Sequence, residues 1–243
     1  MKAVLLAAGK GTRLKPITDN IPKVMIPING KPILEHHLRQ LAQSEIREVY
    51  INLHYLSEKI REYFKDGKKW GLDIQYSHEP EILGTAGAVK NLEKELGKDP
   101  FLVVYGDNFL EINYGHFIRY SEKKGGIGAV AVFKKEDVRG SGILDIGYDQ
   151  RIINFVEKPK LEEIFSHWVN GGVFYFKSQI FDFIEKKYSD FGYDVFPRLL
   201  KNGMKLYAYK LKNEVYPIDS IDLLDQLIKR NKEKAVDYHT DSF

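Results

Sequence analysis

Apolar runs of strand length alternate with helical patterns through the first half of the chain, and this alternation limits the fold more than any other feature. Ala3 to Ala7, Val49 to Leu53 and Leu72 to Tyr76 read as strands, with Ile33 to Leu41 and Leu56 to Phe64 as the helices between them. Such an order predicts βαβ units and a largely parallel sheet. Phe101 to Tyr105 and Ile127 to Phe133 are continuously apolar, as strands buried on both faces are. The expected fold class is α/β, a Rossmann-like three-layer sandwich with a mixed, mostly parallel sheet. From about Val138 to Tyr209 the runs shorten to Ile143–Ile146, Ile152–Val156, Val173–Phe176 and Leu206–Tyr209. This predicts an inserted lid or acceptor-binding lobe. A last amphipathic helix is expected over Asp222 to Ala235, with Leu223, Leu224, Leu227 and Ile228 on one face. The polar tail after Val236 is expected to fray.

Ligands of an open α/β sheet bind beyond the carboxyl ends of its strands. Glycine-bearing turns mark three such places: Gly9 and Gly11 after the first strand, Gly106-Asp107 after Tyr105, and Gly171-Gly172 before Val173. Composition removes several chemistries from consideration. Cysteine is absent, which excludes disulfide scaffolding, thiolate zinc sites and cysteine nucleophiles. With 37 Lys+Arg against 34 Asp+Glu the formal net charge is only +3, too mild to argue for nucleic acid. No apolar run approaches the roughly 18 residues of a membrane span, and Met-Lys-Ala-Val-Leu-Leu lacks a signal-peptide cleavage pattern. The expectation is a soluble, cytoplasmic protein.

Gly9-Lys10-Gly11-Thr12-Arg13 leaves the first strand, but Leu14 stands where a dinucleotide-binding fingerprint needs a third glycine. No Gly-x-x-x-x-Gly-Lys-Ser/Thr occurs either. The physics of those motifs is still available. Glycines after a strand let successive backbone N–H groups point into one concavity that suits phosphate oxygens. Arg13 adds a planar fork and Lys23 a point charge. Together these groups point to a polyphosphate.

Leu6-Ala7-Ala8-Gly9-Lys10-Gly11-Thr12-Arg13-Leu14-Lys15-Pro16-Ile17-Thr18 and Pro22-Lys23-Val24-Met25-Ile26-Pro27 resemble the signature of the sugar-1-phosphate nucleotidyltransferases, the enzymes that make nucleotide sugars. By that resemblance Arg13 grips the β and γ phosphates and stabilises the transition state, and Lys23 binds around the reacting phosphates. Leu6, Ala8, Gly9, Gly11 and Thr12 belong to the same nucleotide-binding set. Gly84-Thr85-Ala86-Gly87-Ala88 opens a helical pattern running to about Leu96. With Leu83 it is similar to the family's L-G-T-A-G-A, which lies against the base, so Gly84 and Thr85 are expected there. Either Glu79 or Glu81 is then placed to accept hydrogens from the base edge.

Asp107, at the end of an apolar strand, corresponds to the family's Mg²⁺ ligand. A hard cation bridging phosphates takes one or two carboxylates, and Asp219 is the best match for the second. Its surroundings depart from the family's pattern: Pro217 displaces the aromatic, and Ile221 and Asp222 replace glycine and threonine. Asp222 therefore stays open as the ligand, or as the cap of the helix beginning there. Glu157-Lys158-Pro159 resembles the family's E-K-P, in which Lys holds the sugar phosphate and Glu touches a sugar hydroxyl. Asn170-Gly171-Gly172 resembles the N-x-G that lines the sugar. Gly142 resembles the glycine that lets backbone approach the sugar phosphate, although Ser141 stands in place of an aromatic.

These motifs span residues 3 to about 227 in the family's order and imply one nucleotidyltransferase domain over 1–243. Residues 1–137 are expected to serve mainly the nucleotide, 138–210 the sugar phosphate, and 211–243 the second metal carboxylate and the last helix. The implied reaction joins a nucleoside triphosphate to a sugar 1-phosphate. Arg13, Lys23, Asp107 and Lys158 are the expected catalytic residues and Mg²⁺ the cofactor; a homo-oligomer is compatible. The short form and the Glu79/Glu81 carboxylates suggest GTP with mannose- or heptose-1-phosphate, with UTP or dTTP and glucose-1-phosphate as the alternative. Two further readings are a non-catalytic nucleotide-sugar-binding subunit and cytidylyl transfer to a non-sugar phosphate.

Overall fold

A computed structural model describes residues 1–240, with side chains through Asn231. The first half contains β1 (Lys2–Leu6), β2 (Pro27–Ile28), β3 (Lys31–Pro32), α1 (Ile33–Gln43), β4 (Glu48–Leu53), α2 (Ser57–Phe64) and β5 (Asp73–His78). Next come α3 (Gly84–Lys90), α4 (Glu93–Leu96), β6 (Phe101–Tyr105), β7 (Asn108–Phe109), α5 (Tyr114–Lys124) and β8 (Gly128–Lys134). The remainder is β9 (Gly142–Ile146), β10 (Ile152–Glu157), β11 (Trp168–Phe176), α6 (Phe196–Lys201), β12 (Leu206–Lys210), β13 (Tyr216–Pro217) and α7 (Ile221–Thr240).

The central sheet runs β5-β4-β1-β6-β11-β8-β12. Pairing is antiparallel where β11 meets β6 and β8, and parallel at the other contacts, so β11 alone of these strands runs against the rest. The hairpin β9–β10 branches from the first half of β11, where Ile143 pairs with Val169. Of the stretch 138–210, β11 and β12 are strands of the central sheet, and the hairpin extends the same sheet through the Ile143–Val169 pairing.

Side-chain alternation explains the layers. Ala3, Leu5, Val49 and Ile51 pack on one face against Leu34, Leu38 and Leu41 of α1 and Ile60 and Phe64 of α2. Val4, Tyr50, Phe101 and Val103 pack on the other against Ala86 and Val89 of α3 and Leu96 of α4. Strands covered on both sides must be apolar throughout, and Ala3, Val4, Leu5 and Phe101 to Val104 are all 0% exposed. On the second face Phe174 and Phe176 of β11 stack around Phe191, with ring centroids 5.3 and 5.2 Å away. This cluster fastens residues 188–196 to the sheet.

Three local features differ from the sequence expectation. The helix expected to continue from Gly84 to Leu96 is two, α3 and α4. The backbone helix of α7 continues past Val236 to Thr240, and the rest of the expected frayed tail, 241–243, lies outside the described residues. Finally, β7 and β13 form a two-residue antiparallel ribbon. None of the described helices is long and apolar enough to cross a membrane.

Candidate active site

A cleft of about 700 Å³ opens past the carboxyl ends of β1, β4 and β6, where Leu6, Asn52 and Tyr105 line it. Its basic end is built by the turn after β1. Gly11 has φ +64°, and a Cβ there would fall 2.8 Å from Thr18 Cγ2, so only glycine makes this turn without strain. The Thr18 hydroxyl donates to the Gly11 carbonyl at 2.8 Å. Ala8, Gly9 and Arg13 line the cleft, while Gly11, half-buried, and Thr12, exposed, do not.

Lys23 is only 7% exposed. Its Nζ lies 2.5 Å from Asp107 Oδ2 and 2.6 Å from Asp219 Oδ1, and Arg13 Nη2 is 3.2 Å from the same Asp219 oxygen. The β7–β13 ribbon explains how residues so far apart in sequence meet: Asn108 pairs with Pro217, and the Ile218 N–H donates to the Asp107 carbonyl at 3.1 Å. Burial pushes the Asp219 carboxyl up, but Lys23 and Arg13 outweigh it and hold the group below the ordinary carboxylate range. Burial also works against the Lys23 ammonium, and the two aspartates overcome it and raise its pKa. Asp107 and Asp219 converge on Lys23 Nζ, and two carboxylates so placed would suit a hard divalent cation. No cluster of three or more potential protein ligands occurs among the described residues. Asp222 is exposed in the first turn of α7, and Ser220 Oγ takes the Leu223 N–H at 3.3 Å. Ser220 is therefore the cap, and Asp219 is the carboxylate that faces the cleft.

Glu79 also lines the cleft and is 1% exposed. Its Oε1 accepts from Asn52 Nδ2 at 2.8 Å and its Oε2 from the Leu83 N–H at 3.1 Å. Asn52 Oδ1 in turn accepts the Ala7 N–H at 2.6 Å. Glu79 thus pins the 79–83 loop to β4 and β1, and Glu81 is exposed outside the cleft. Gly84 has φ +76°, and a Cβ there would lie 2.5 Å from the Ser189 carbonyl oxygen. Gly84→Ala is expected to cost about 2–3 kcal/mol through backbone strain and overlap; an unchanged urea midpoint would show that Ser189 yields freely.

The third group of expected residues, Gly142, Glu157, Lys158 and Asn170, lines the same cleft. Gly171 is buried at the β11 bulge, where register shifts between Asn170 and Phe174. Its carbonyl accepts from Asn108 Nδ2 at 3.1 Å, which ties the bulge to the residue after Asp107. Lys158 adopts φ +49° and its Nζ lies 5.7 Å from the Tyr193 ring centroid. Burial, reinforced by Asp190, pushes Glu157 up to about 7. A carboxyl raised in the fold holds its proton where the unfolded chain has lost it, so its destabilising charge develops between pH ~4.3 and 7. Glu157→Gln should therefore gain stability relative to the parent as pH rises through that window and level off above it. Parallel melting curves from pH 4 to 8 with constant offset would refute this.

Asn52, Tyr105 and Asp190 are among the cleft residues that the motif reading did not name. Asn52 carries a visible signal, a polar side chain inside an apolar strand. Tyr105 ends β6, and burial first, then Asp190, holds its hydroxyl well above the ordinary value. Asp190 precedes Phe191-Gly192 and caps the next turn with its side chain, a pattern typical of Asp before a helical start.

A family model described as Nucleotidyl transferase matches residues 2–219. A UTP–glucose-1-phosphate uridylyltransferase of Synechocystis sp. is 34% identical over 235 residues, 91% of this chain and 61% of its own. Mannose-1-phosphate guanyltransferase 2 of Candida glabrata is 32% identical over 217 residues, 87% of this chain and 59% of its own. The chain thus spans about three-fifths of the length of these curated relatives. The structure of HddC from Yersinia pseudotuberculosis complexed with GMP-PN superposes with a TM-score of 0.78 at 27% identity, over 94% of this chain and 98% of that one. The family match runs from β1 to Asp219 and so takes in the glycine turn, Lys23 and both converging aspartates: the chain belongs to the nucleotidyl transferase family.

Proposed function

We propose that the chain transfers a nucleotidyl group from a nucleoside triphosphate to a sugar 1-phosphate, releasing pyrophosphate and forming a nucleotide sugar. One observation carries this reading. Arg13, Lys23, Asp107 and Asp219 meet in one charged cluster, and Glu157, Lys158 and Asn170 line the same cleft as Arg13, Asp107 and Asp219. The attacking sugar phosphate is already an anion, so the chemistry needs no general base. It needs two mutually repelling anions brought together and charge neutralised at phosphorus. Gly9 and its neighbours receive the triphosphate oxygens, with Arg13 and Lys23 as fixed positive charge. Lys158 draws the acceptor phosphate in line. Asp107 and Asp219 are the residues that would hold Mg²⁺, which when bound supplies charge neutralisation between phosphate oxygens.

The leading substrate pair is GTP with mannose- or heptose-1-phosphate. A guanyltransferase among the relatives and the HddC complex with GMP-PN favour it. The similarity to a uridylyltransferase favours the second pair, UTP or dTTP with glucose-1-phosphate. Because Glu79 is buried and engaged with Asn52 and Leu83, guanine reading by its carboxylate requires the 79–83 loop to shift. The deciding assay is pyrophosphate release with Mg²⁺ across five nucleoside triphosphates and several sugar 1-phosphates. Release that depends on one pair establishes the reaction. Nucleotide-sugar binding with no release across the grid would transfer the assignment to a non-catalytic binding subunit.

A further inference from the structure

Asp190 sits in the cleft wall between the start of α3 and the hairpin strand that ends at Glu157. Its Oδ2 accepts the Thr85 hydroxyl at 2.8 Å, and its Oδ1 accepts the backbone N–H groups of Gly192 at 2.8 Å and Tyr193 at 3.3 Å. Thr85 Oγ1 in turn accepts the Phe191 N–H at 2.9 Å. One residue earlier, the Ser189 carbonyl takes the N–H groups of Ala86 and Gly87 at 2.9 and 3.0 Å, and the Ser189 N–H donates to the Leu83 carbonyl at 2.9 Å. The start of α3 and residues 189–193 are therefore joined by five hydrogen bonds besides those Asp190 makes to its own turn.

Residues Phe191–Val195 form a single π-helical turn, a geometry that is rare and frequently found at functional sites. Its backbone carries the connection onward. A Cβ on Gly192 would overlap Oε2 of Glu157 and lie 2.8 Å from its carboxyl carbon, and a Cβ on Gly142 would lie 2.5 Å from the same oxygen. The Glu157 carboxylate is thus held between two bare backbones, one of which hangs from Asp190. The charged and titratable groups acting on it are Asp190, Lys158 and Tyr105.

We propose that Asp190 is a positioning residue that couples the two ends of the cleft, tying the α3 start at Thr85 to the Gly192 backbone that seats Glu157. Its functional consequence rests on the nucleotidyl-transfer reading: filling the nucleoside end would set the geometry in which Glu157 and Lys158 meet the acceptor. Thr85 is the sensitive point. Its hydroxyl gives its hydrogen to Asp190 and accepts the Phe191 N–H, and it also meets the Tyr105 hydroxyl at the end of β6, so a change at the nucleoside end reaches the acceptor end without touching it.

The test uses the full chain with Thr85→Val, Thr85→Ser and Asp190→Asn, each checked for an intact melt. Thr85→Val should raise the KM and the calorimetric Kd for the sugar 1-phosphate roughly tenfold or more, as expected for losing hydrogen bonds to a charged group. Thr85→Ser should restore it. Asp190→Asn, which removes the charge and keeps the shape, should move the titration midpoint of Glu157 to lower pH in ¹³C NMR of the free protein, whereas Thr85→Val should leave that midpoint in place. Acceptor affinity unchanged in Thr85→Val overturns the coupling. If the parent binds no sugar phosphate and releases no pyrophosphate, the nucleotidyl-transfer reading fails by itself. The coupling is then decided by the Glu157 midpoint in Asp190→Asn and by amide exchange at Gly192 and Tyr193, which should accelerate in Thr85→Val; unchanged exchange in Thr85→Val or an unmoved midpoint in Asp190→Asn overturns it.

Discussion

Asp107→Asn is expected to lower turnover in the pyrophosphate-release assay by about a thousandfold or more, while the folded protein melts close to its parent. The two expectations separate because Asp107 plays two parts. Its backbone carbonyl takes the Ile218 N–H at 3.1 Å and holds the ribbon that delivers Asp219, and the substitution leaves that bond alone. Its carboxylate supplies half of the negative charge converging on Lys23, and an amide supplies none. A thousandfold loss corresponds to about 4 kcal/mol of transition-state stabilisation, the scale expected when a charge-neutralising partner is removed from a phosphoryl-transfer site. A folded variant retaining more than a tenth of parental turnover would remove Asp107 from the chemistry.

Lys23→Met is expected to be nearly as severe for turnover, and unlike the first change it should destabilise the fold. It leaves the Asp107 and Asp219 carboxylates facing one another, with the exposed Arg13 and Lys158 as the remaining cations acting on Asp219. Breaking a buried pair by removing one partner costs 3–5 kcal/mol, but these carboxylates are 30% and 33% exposed, so about 2–3 kcal/mol is expected near pH 7. The sign of the pH dependence follows from Asp219. Its folded pKa is depressed, so the stability gained from the pair is present above the unfolded value of ~3.9 and is lost as pH falls through the folded one. The gap between parent and variant should therefore be widest at neutral pH and close below about pH 4. Added Mg²⁺ should raise the melting temperature of the variant more than that of the parent, because the two carboxylates then lack their resident ammonium. Urea midpoints from pH 3 to 8, with and without the cation, check both statements. A gap that widens in acid would show that Lys23 is not paired as described.

The central strands were readable in advance because their physics is local. A strand covered on both faces has to be apolar at every position, and Phe101 to Val104 could hardly be anything else. Gly11 was readable for a similar reason, since the turn it makes excludes any side chain. Asp219 was reachable only through resemblance. The ribbon that carries it is two residues long on each side, too short to leave a period in the sequence. Asp190 left still less trace, for its partner Thr85 lies 105 positions away and nothing local marks the pair. Glu79 was expected at the base edge and is found buried; the cause is Asn52 on the neighbouring strand β4, whose amide claims one carboxylate oxygen. Helix periodicity ran α3 and α4 together because Val89 and Leu96 face the same cluster while the backbone between them breaks.

The reversed strand β11 has a consequence for how the molecule is made. It is flanked by β6 on one side and by β8 along the other, so everything synthesised before Trp168 has already produced both neighbours without the strand that joins them. Until Phe176 has left the ribosome, β6 and β8 each present an unpaired edge, the kind of surface that recruits other chains. Closing the sheet is therefore a late, long-range event, slow by the usual dependence of folding rate on sequence separation. Fragments ending near residue 165 should aggregate, whereas those ending beyond Lys210, with β11 and β12 in place, should be the shortest that stay in solution.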